Sequence, residues 1–261
     1  MATRSIDSSQ RKAAKIAGLA YLLSFVTVVS VNFGILERLI VAADPVQTAR
    51  NILAHETLFR VGLTGGVLYC IGVLVLSAAL YIVLKPVDQT LALLAALGRF
   101  VYALTWIILT LNLFTALRLL SHADYAQAFL TEHLPSLARL YLSGFDQYYV
   151  GLLFWSSGAT VGAYLWLKSA YVPRALAAVG VLASAWCAAC TLVLFLVPDF
   201  PKIVNLWWFD TPMGLFEFAL SLVLLFRGLR PPELATKELQ ECALEDRDGS
   251  LAERKTKRIA L

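Results

Sequence analysis

The chain has 261 residues, 59% of them apolar and only 15% charged, with a net charge of +4. A soluble domain carries roughly 25% charged residues, so this deficit, together with long apolar runs, points to a membrane protein. The basic residues are dispersed or sit beside the apolar runs, which leaves no footprint for nucleic acid.

Taken in order, residues 1–15 are polar and basic and read as a cytoplasmic N-terminus. A spanning helix needs about 20 apolar residues, and six segments meet or approach that length, near 16–36, 58–84, 91–117, 143–167, 175–197 and 212–227. The first apolar run is too long for a signal-peptide core and has no small-residue cleavage site behind it, so it reads as a retained span. Glu37-Arg38 stops it. Asp44-Pro45 then reads as an N-cap followed by a first-turn proline, opening a short helix with one apolar face that lies along the membrane surface. The segment 118–142 reads as a long outer loop with short helices, one of them opening near Pro135. Trp207 and Trp208 stand where an interfacial aromatic anchor belongs. The segment 231–261 is a polar tail of mixed charge on the cytoplasmic side. The expected fold is therefore an all-α membrane protein, a six-transmembrane-helix bundle with surface helices in the outer loops.

Orientation follows from basic residues in short loops. Segments 1–15, 85–90 and 168–174 hold 7 Lys/Arg in 28 residues, against 5 in 60 for segments 37–57, 118–142 and 198–211. The denser set faces the cytoplasm, which puts both termini inside. Gly62 and Gly66 give a small-x-x-x-small spacing that lets helices approach closely. Cys187 and Cys190 have the C-x-x-C spacing, but alanines and leucines surround them, so they read as two small residues on one helix face.

Polar groups inside apolar spans carry the functional question, because an intramembrane ionisable residue is costly. Counted inward from the outer end of each span at about 1.5 Å per residue, Asn32, Arg60, Asn112, Asp146 and Glu217 share a layer some 3–8 Å deep, with His55 and Glu56 above Arg60. These seven residues form the candidate pocket, open to the outside and suited to a small molecule or lipid headgroup. The bland alternative is interhelical glue, since polar side chains between spans average about 0.6 kcal/mol each. Depth makes Arg60 the expected partner of Glu217, while Arg99, deeper by about 10 Å, is expected to reach backbone carbonyls, water or lipid phosphate.

Catalytic motifs are missing. The three histidines (His55, His122, His133) are isolated and form no zinc-ligand spacing, there is no G-x-S-x-G elbow, and no histidine falls inside a span to ligate haem. No cofactor or metal is expected. The leading reading is a non-enzymatic membrane protein that binds or transports a small molecule or lipid. The alternatives are a membrane-embedded enzyme using the outer-layer carboxylates, or a structural or regulatory subunit. Its expected partner is membrane lipid, and the sequence leaves its oligomeric state open.

The segments Lys15-Ile-Ala-Gly-Leu-Ala-Tyr-Leu22, His55-Glu-Thr-Leu-Phe-Arg60, Leu80-Tyr-Ile-Val-Leu-Lys-Pro-Val87, Lys168-Ser-Ala-Tyr-Val-Pro-Arg174 and Gly214-Leu-Phe-Glu217 resemble, as an ordered set, the bacterial membrane family called domain of unknown function 4386. The likeness covers roughly residues 12–230. It implies a six-span protein of the bacterial cytoplasmic membrane and carries no activity to transfer.

Overall fold

A computed structural model describes residues 6–41, 44–121, 145–197 and 199–231. All regular structure among them is helical. Helix α1 is Ser8–Val29, continued by a wider π-helical stretch, Ser30–Leu36, and a last turn, Glu37–Leu39. Then follow α2 (Pro45–Ala54), α3 (Glu56–Leu84), α4 (Gln89–Ser121), α5 (Phe145–Ser169), α6 (Arg174–Leu196) and the short α7 (Phe200–Ile203) and α8 (Leu206–Phe209). Helix α9 is Thr211–Leu222, ending in a π-helical turn, Val223–Arg227.

Among the described residues five stretches are long and apolar enough to cross a membrane: Ser8–Leu39, Glu56–Leu84, Gln89–Ser121, Tyr148–Ser169 and Arg174–Leu196. The sixth expected crossing, Thr211–Arg227, is a shorter helix of 17 residues. Large apolar side chains such as Leu182, Leu196 and Phe226 stand exposed on the outer faces. Apolar surface on this scale marks a contact with membrane or partner, and with helices this long and apolar the chain is an α-helical integral membrane protein.

The structure corrects two boundaries. The polar N-terminus is not wholly outside the bundle, because α1 begins at Ser8. Asp7 accepts from the Ser8 amide at 2.6 Å, and Gln10 Oε1 accepts from the Asp7 amide at 3.1 Å, a capping box that starts the helix early. Gln10 also donates to the Val83 carbonyl at 3.1 Å, tying the entry of α1 to the end of α3. At the other end, Glu37-Arg38 does not stop the helix; the π-helical stretch carries it to Leu39. Asp44 does cap α2, accepting from the Gln47 amide at 2.9 Å. The 122–144 loop with its expected helix near Pro135, and the tail beyond Pro231, lie outside the described residues.

Sequence neighbours pack side by side, α1 on α3, α3 on α4, α4 on α5 and α5 on α6; α9 packs on both α6 and α1 and closes the ring. Lipid tails are as apolar as leucine, so close packing of small residues holds such helices together. On α1 that face is Ala13, Ala14, Ala17 and Ala20, all buried. At Gly18 a β-carbon would lie 2.9 Å from the Ser221 carbonyl of α9. The α4–α5 crossing is tightest: a β-carbon on Gly98 would meet the Phe154 carbonyl at 2.6 Å, and one on Gly158 the Ala95 carbonyl at 2.9 Å. Gly66 faces Thr110 of α4 and Gly62 faces Ile35 of α1, so the glycine pair separates two neighbours rather than serving one crossing. Cys187 and Cys190 are buried free thiols on α6.

Candidate functional site

The charged centre of the bundle is built from four helices. Arg99 of α4 is 3% exposed, and its Nη2 donates to the Tyr21 hydroxyl of α1 at 2.8 Å. The same nitrogen lies 3.4 Å from Oε1 of Glu217 on α9, which also accepts from the Tyr21 hydroxyl at 3.4 Å. The guanidinium carbon sits 5.3 Å from the ring centre of Trp155 on α5, within cation–π range. Arg99 Nε has no hydrogen-bond partner among the described residues. A planar, permanently charged group suits this place, because one of its nitrogens serves two acceptors while its face rests on an aromatic ring.

This arrangement overturns the expected pairing of Glu217 with Arg60. Arg60 instead pairs with Glu56 one turn earlier, at 2.8 Å and well exposed. It lines a small separate hollow with Phe114, Leu117, Arg118 and Ser121. The expectation that Arg99 reaches carbonyls, water or lipid falls with it. The depth count failed for a physical reason: it assumed that every helix begins at one plane. The contacts of Glu217 put it level with Arg99 of α4 and Tyr21 of α1, and a count along α9 alone does not report that level.

Beside the charged centre lies a cavity of about 330 Å³, within the range of small-molecule sites. Its walls come from α1, α3, α4, α5 and α9 and are mainly aromatic and aliphatic, with Tyr69, Tyr102, Trp106, Tyr148 and Trp155 prominent. These rings pack edge-on or tilted, Tyr102 against Trp155 at 4.5 Å and Tyr69 against Trp106 at 5.0 Å between centres. Glu217 borders the cavity at one place, and Asp210, seven residues earlier, borders it at another. Asp210 Oδ2 accepts from the Tyr148 hydroxyl at 2.8 Å. Burial pushes the Asp210 carboxyl above its ordinary range, and the Tyr148 hydroxyl pulls it partly back. Trp106 Nε1 and Ser24 Oγ, both in the wall, are buried without a hydrogen bond of ordinary geometry among the described residues. Phe25, Val29, Phe33 and Leu215 line the cavity and are also exposed, which puts its mouth sideways between α1 and α9. The π-helical stretch of α1 supplies Asn32, Phe33 and Leu36 to this wall; such widened turns often accompany functional sites.

The seven residues singled out from the sequence are thus divided. Glu217 and Asn32 border the cavity. Arg60 and Glu56 pair at the surface, and the exposed His55 places its Nδ1 3.2 Å from the Asn51 carbonyl. Asn112 is half-buried on α4 and is not part of the cavity wall. Asp146 lies in the first turn of α5, with its side chain outside the described residues. Sequence reasoning missed Tyr21, Asp210 and the aromatic wall. One signal was available: Tyr102, Trp106, Leu109 and Leu113 recur at spacings of four, three and four, an inward helical stripe.

The fold and this site define a polytopic α-helical membrane protein with a charged, aromatic interior. Residues 16–228 match the family described as Domain of unknown function (DUF4386), and the chain belongs to that family. No curated protein and no solved structure matches the chain.

Proposed function

We propose that the protein crosses the bacterial cytoplasmic membrane six times with both termini inside, and that it holds a small molecule or a lipid within its ring of helices without catalysing a reaction. One observation carries the second part: the cavity of about 330 Å³, walled by aromatic and aliphatic side chains with a few polar groups. That combination is the usual composition of a ligand site. Its sideways mouth suits a molecule that reaches the protein from the bilayer. At 17 residues Thr211–Arg227 is about 25 Å long, at the lower limit for a crossing, and the loop asymmetry in Lys/Arg supports the orientation.

Native mass spectrometry of the protein released from mild detergent tests the ligand reading. The expected spectrum shows an adduct of small-molecule or lipid mass that is lost when Leu109→Trp fills the cavity. A bare protein mass for both, with no thermal stabilisation by added lipid extract, would overturn it. A cytoplasm-dependent reporter fused after Arg230 tests the orientation and is expected to be active. Activity there only from an export-dependent reporter would reverse it.

A further inference from the structure

We infer that the cavity selects an organic cation with an apolar body; this rests on the cavity-binding reading above and names its ligand class. Among the described residues the wall contains two carboxylates, Glu217 and Asp210, and no Lys, Arg or His. Arg99 is not part of the wall; it is held behind Glu217 by Tyr21 and Trp155 and offsets one of the two negative charges. Asp210 has a neutral hydroxyl, that of Tyr148, as its hydrogen-bond donor. The space between the carboxylates therefore carries a net negative field and excludes an anionic head. Trp106, Tyr69 and Tyr102 also line the cavity, and an aromatic ring that turns its face to a cation attracts it through its quadrupole, most strongly when water is absent. Seven residues of helix separate Asp210 from Glu217 by about 10 Å, enough for a cationic centre to sit beside one carboxylate while its apolar substituents fill the aromatic half. The mouth between α1 and α9 is apolar, with Phe25, Val29 and Leu215 exposed, so a small hydrophilic metal ion has no polar route in from that side.

Three probes of similar shape separate the outcomes: the cation tetraphenylphosphonium, the neutral triphenylmethane and the anion tetraphenylborate. Binding to the purified protein in mild detergent at mildly alkaline pH is followed by quenching of tryptophan fluorescence. Each affinity is compared with that of the Asp210→Asn protein, so that partitioning into detergent cancels. The cation is expected to bind saturably and at least tenfold more tightly to the parent than to Asp210→Asn, with the neutral probe unchanged. Glu217→Gln should weaken the cation similarly, and if that variant fails to fold, Asp210→Asn carries the test alone. Equal affinity of the cation for parent and Asp210→Asn, or tighter binding of the anion, overturns the cation preference while leaving a binding cavity. Saturable binding by none of the three overturns the cavity reading itself.

Discussion

The central claim about the interior is that Glu217 is stabilised by Arg99 and Tyr21, and a double-mutant cycle can refute it. Replacing Glu217 by Gln leaves a guanidinium, whose side chain is only 4% exposed, without its counter-charge. Breaking a buried pair by removing one partner costs roughly 3–5 kcal/mol. Two features reduce this. The ion pair is long at 3.4 Å, and the Tyr21 oxygen at 2.8 Å remains as an acceptor. A loss of about 2–3 kcal/mol is then expected, at the lower edge of that range. Arg99→Met should cost less, because a carboxyl group can take up a proton whereas a guanidinium cannot give one up. The double variant should fall short of the summed losses by about 1–3 kcal/mol, the coupling expected of residues in direct contact. Arg60→Gln supplies the contrast. Its partner is one helical turn away at the surface, so its loss should stay within about 0.5 kcal/mol. Thermal unfolding of the parent and four variants in one detergent gives the comparison, at about 2–4 °C per kcal/mol for a chain of this size. Additive losses for Arg99 and Glu217, or an Arg60 variant as damaged as the Arg99 variant, would refute the pairing.

Three further outcomes follow from local geometry. Gly158→Leu should cost about 1–3 kcal/mol or prevent assembly, because its β-carbon would meet the Ala95 carbonyl at 2.9 Å and α4 would have to move away from α5; unchanged detergent stability would contradict that close approach. Ala170, in the α5–α6 turn, has φ 52°, a left-handed conformation that strains a residue with a β-carbon, so Ala170→Gly should leave stability equal or raise it by up to about 1 kcal/mol, and a clear fall in melting temperature would count against this backbone. Asp210 has its folded pKa raised by burial above the ordinary 3.8; the folded state therefore binds more protons than the unfolded state over the window above that value, and stability should fall as pH rises through it. Asp210→Asn should flatten that slope in melting temperatures measured across the acid range, and identical slopes would show that Asp210 is not the group responsible.

Helix existence was legible because the apolar runs of the spans are set by bilayer thickness, a constraint independent of tertiary detail. The cap at Asp44 was legible for the same reason, since it is local chemistry. The early start of α1 was written in Asp7-Ser-Ser-Gln10, a capping box hidden by the polarity of residues 8–15. The pairing at the centre was not legible. It depends on where α9 enters the bundle, and that is decided by Phe209 and Asp210 packing inward against other helices, which no count along one helix reports. The same holds for Asp210. It reads as an ordinary loop carboxylate and becomes part of the interior only because the Tyr148 hydroxyl is there to receive it.

The ring itself accounts for the cavity and for the charges beside it. Six cylinders of equal width, each touching its two neighbours, enclose a space as wide as a seventh, about 10 Å for helices with their side chains. Among the described residues no seventh helix fills it, so side chains do. Contact between α3 and α5 across the ring closes part of the space. In another part Arg99, Tyr21, Glu217 and Trp155 fill it with long or large groups that satisfy one another. What remains is bounded by rings as well as aliphatic chains, and the rings, packed edge-on or tilted against one another, resist inward collapse more than leucines would. The interior carboxylate is therefore tolerated because the ring geometry brings a guanidinium and a phenol to it. The adjacent volume stays open because the side chains that frame it are already fixed by that charged contact.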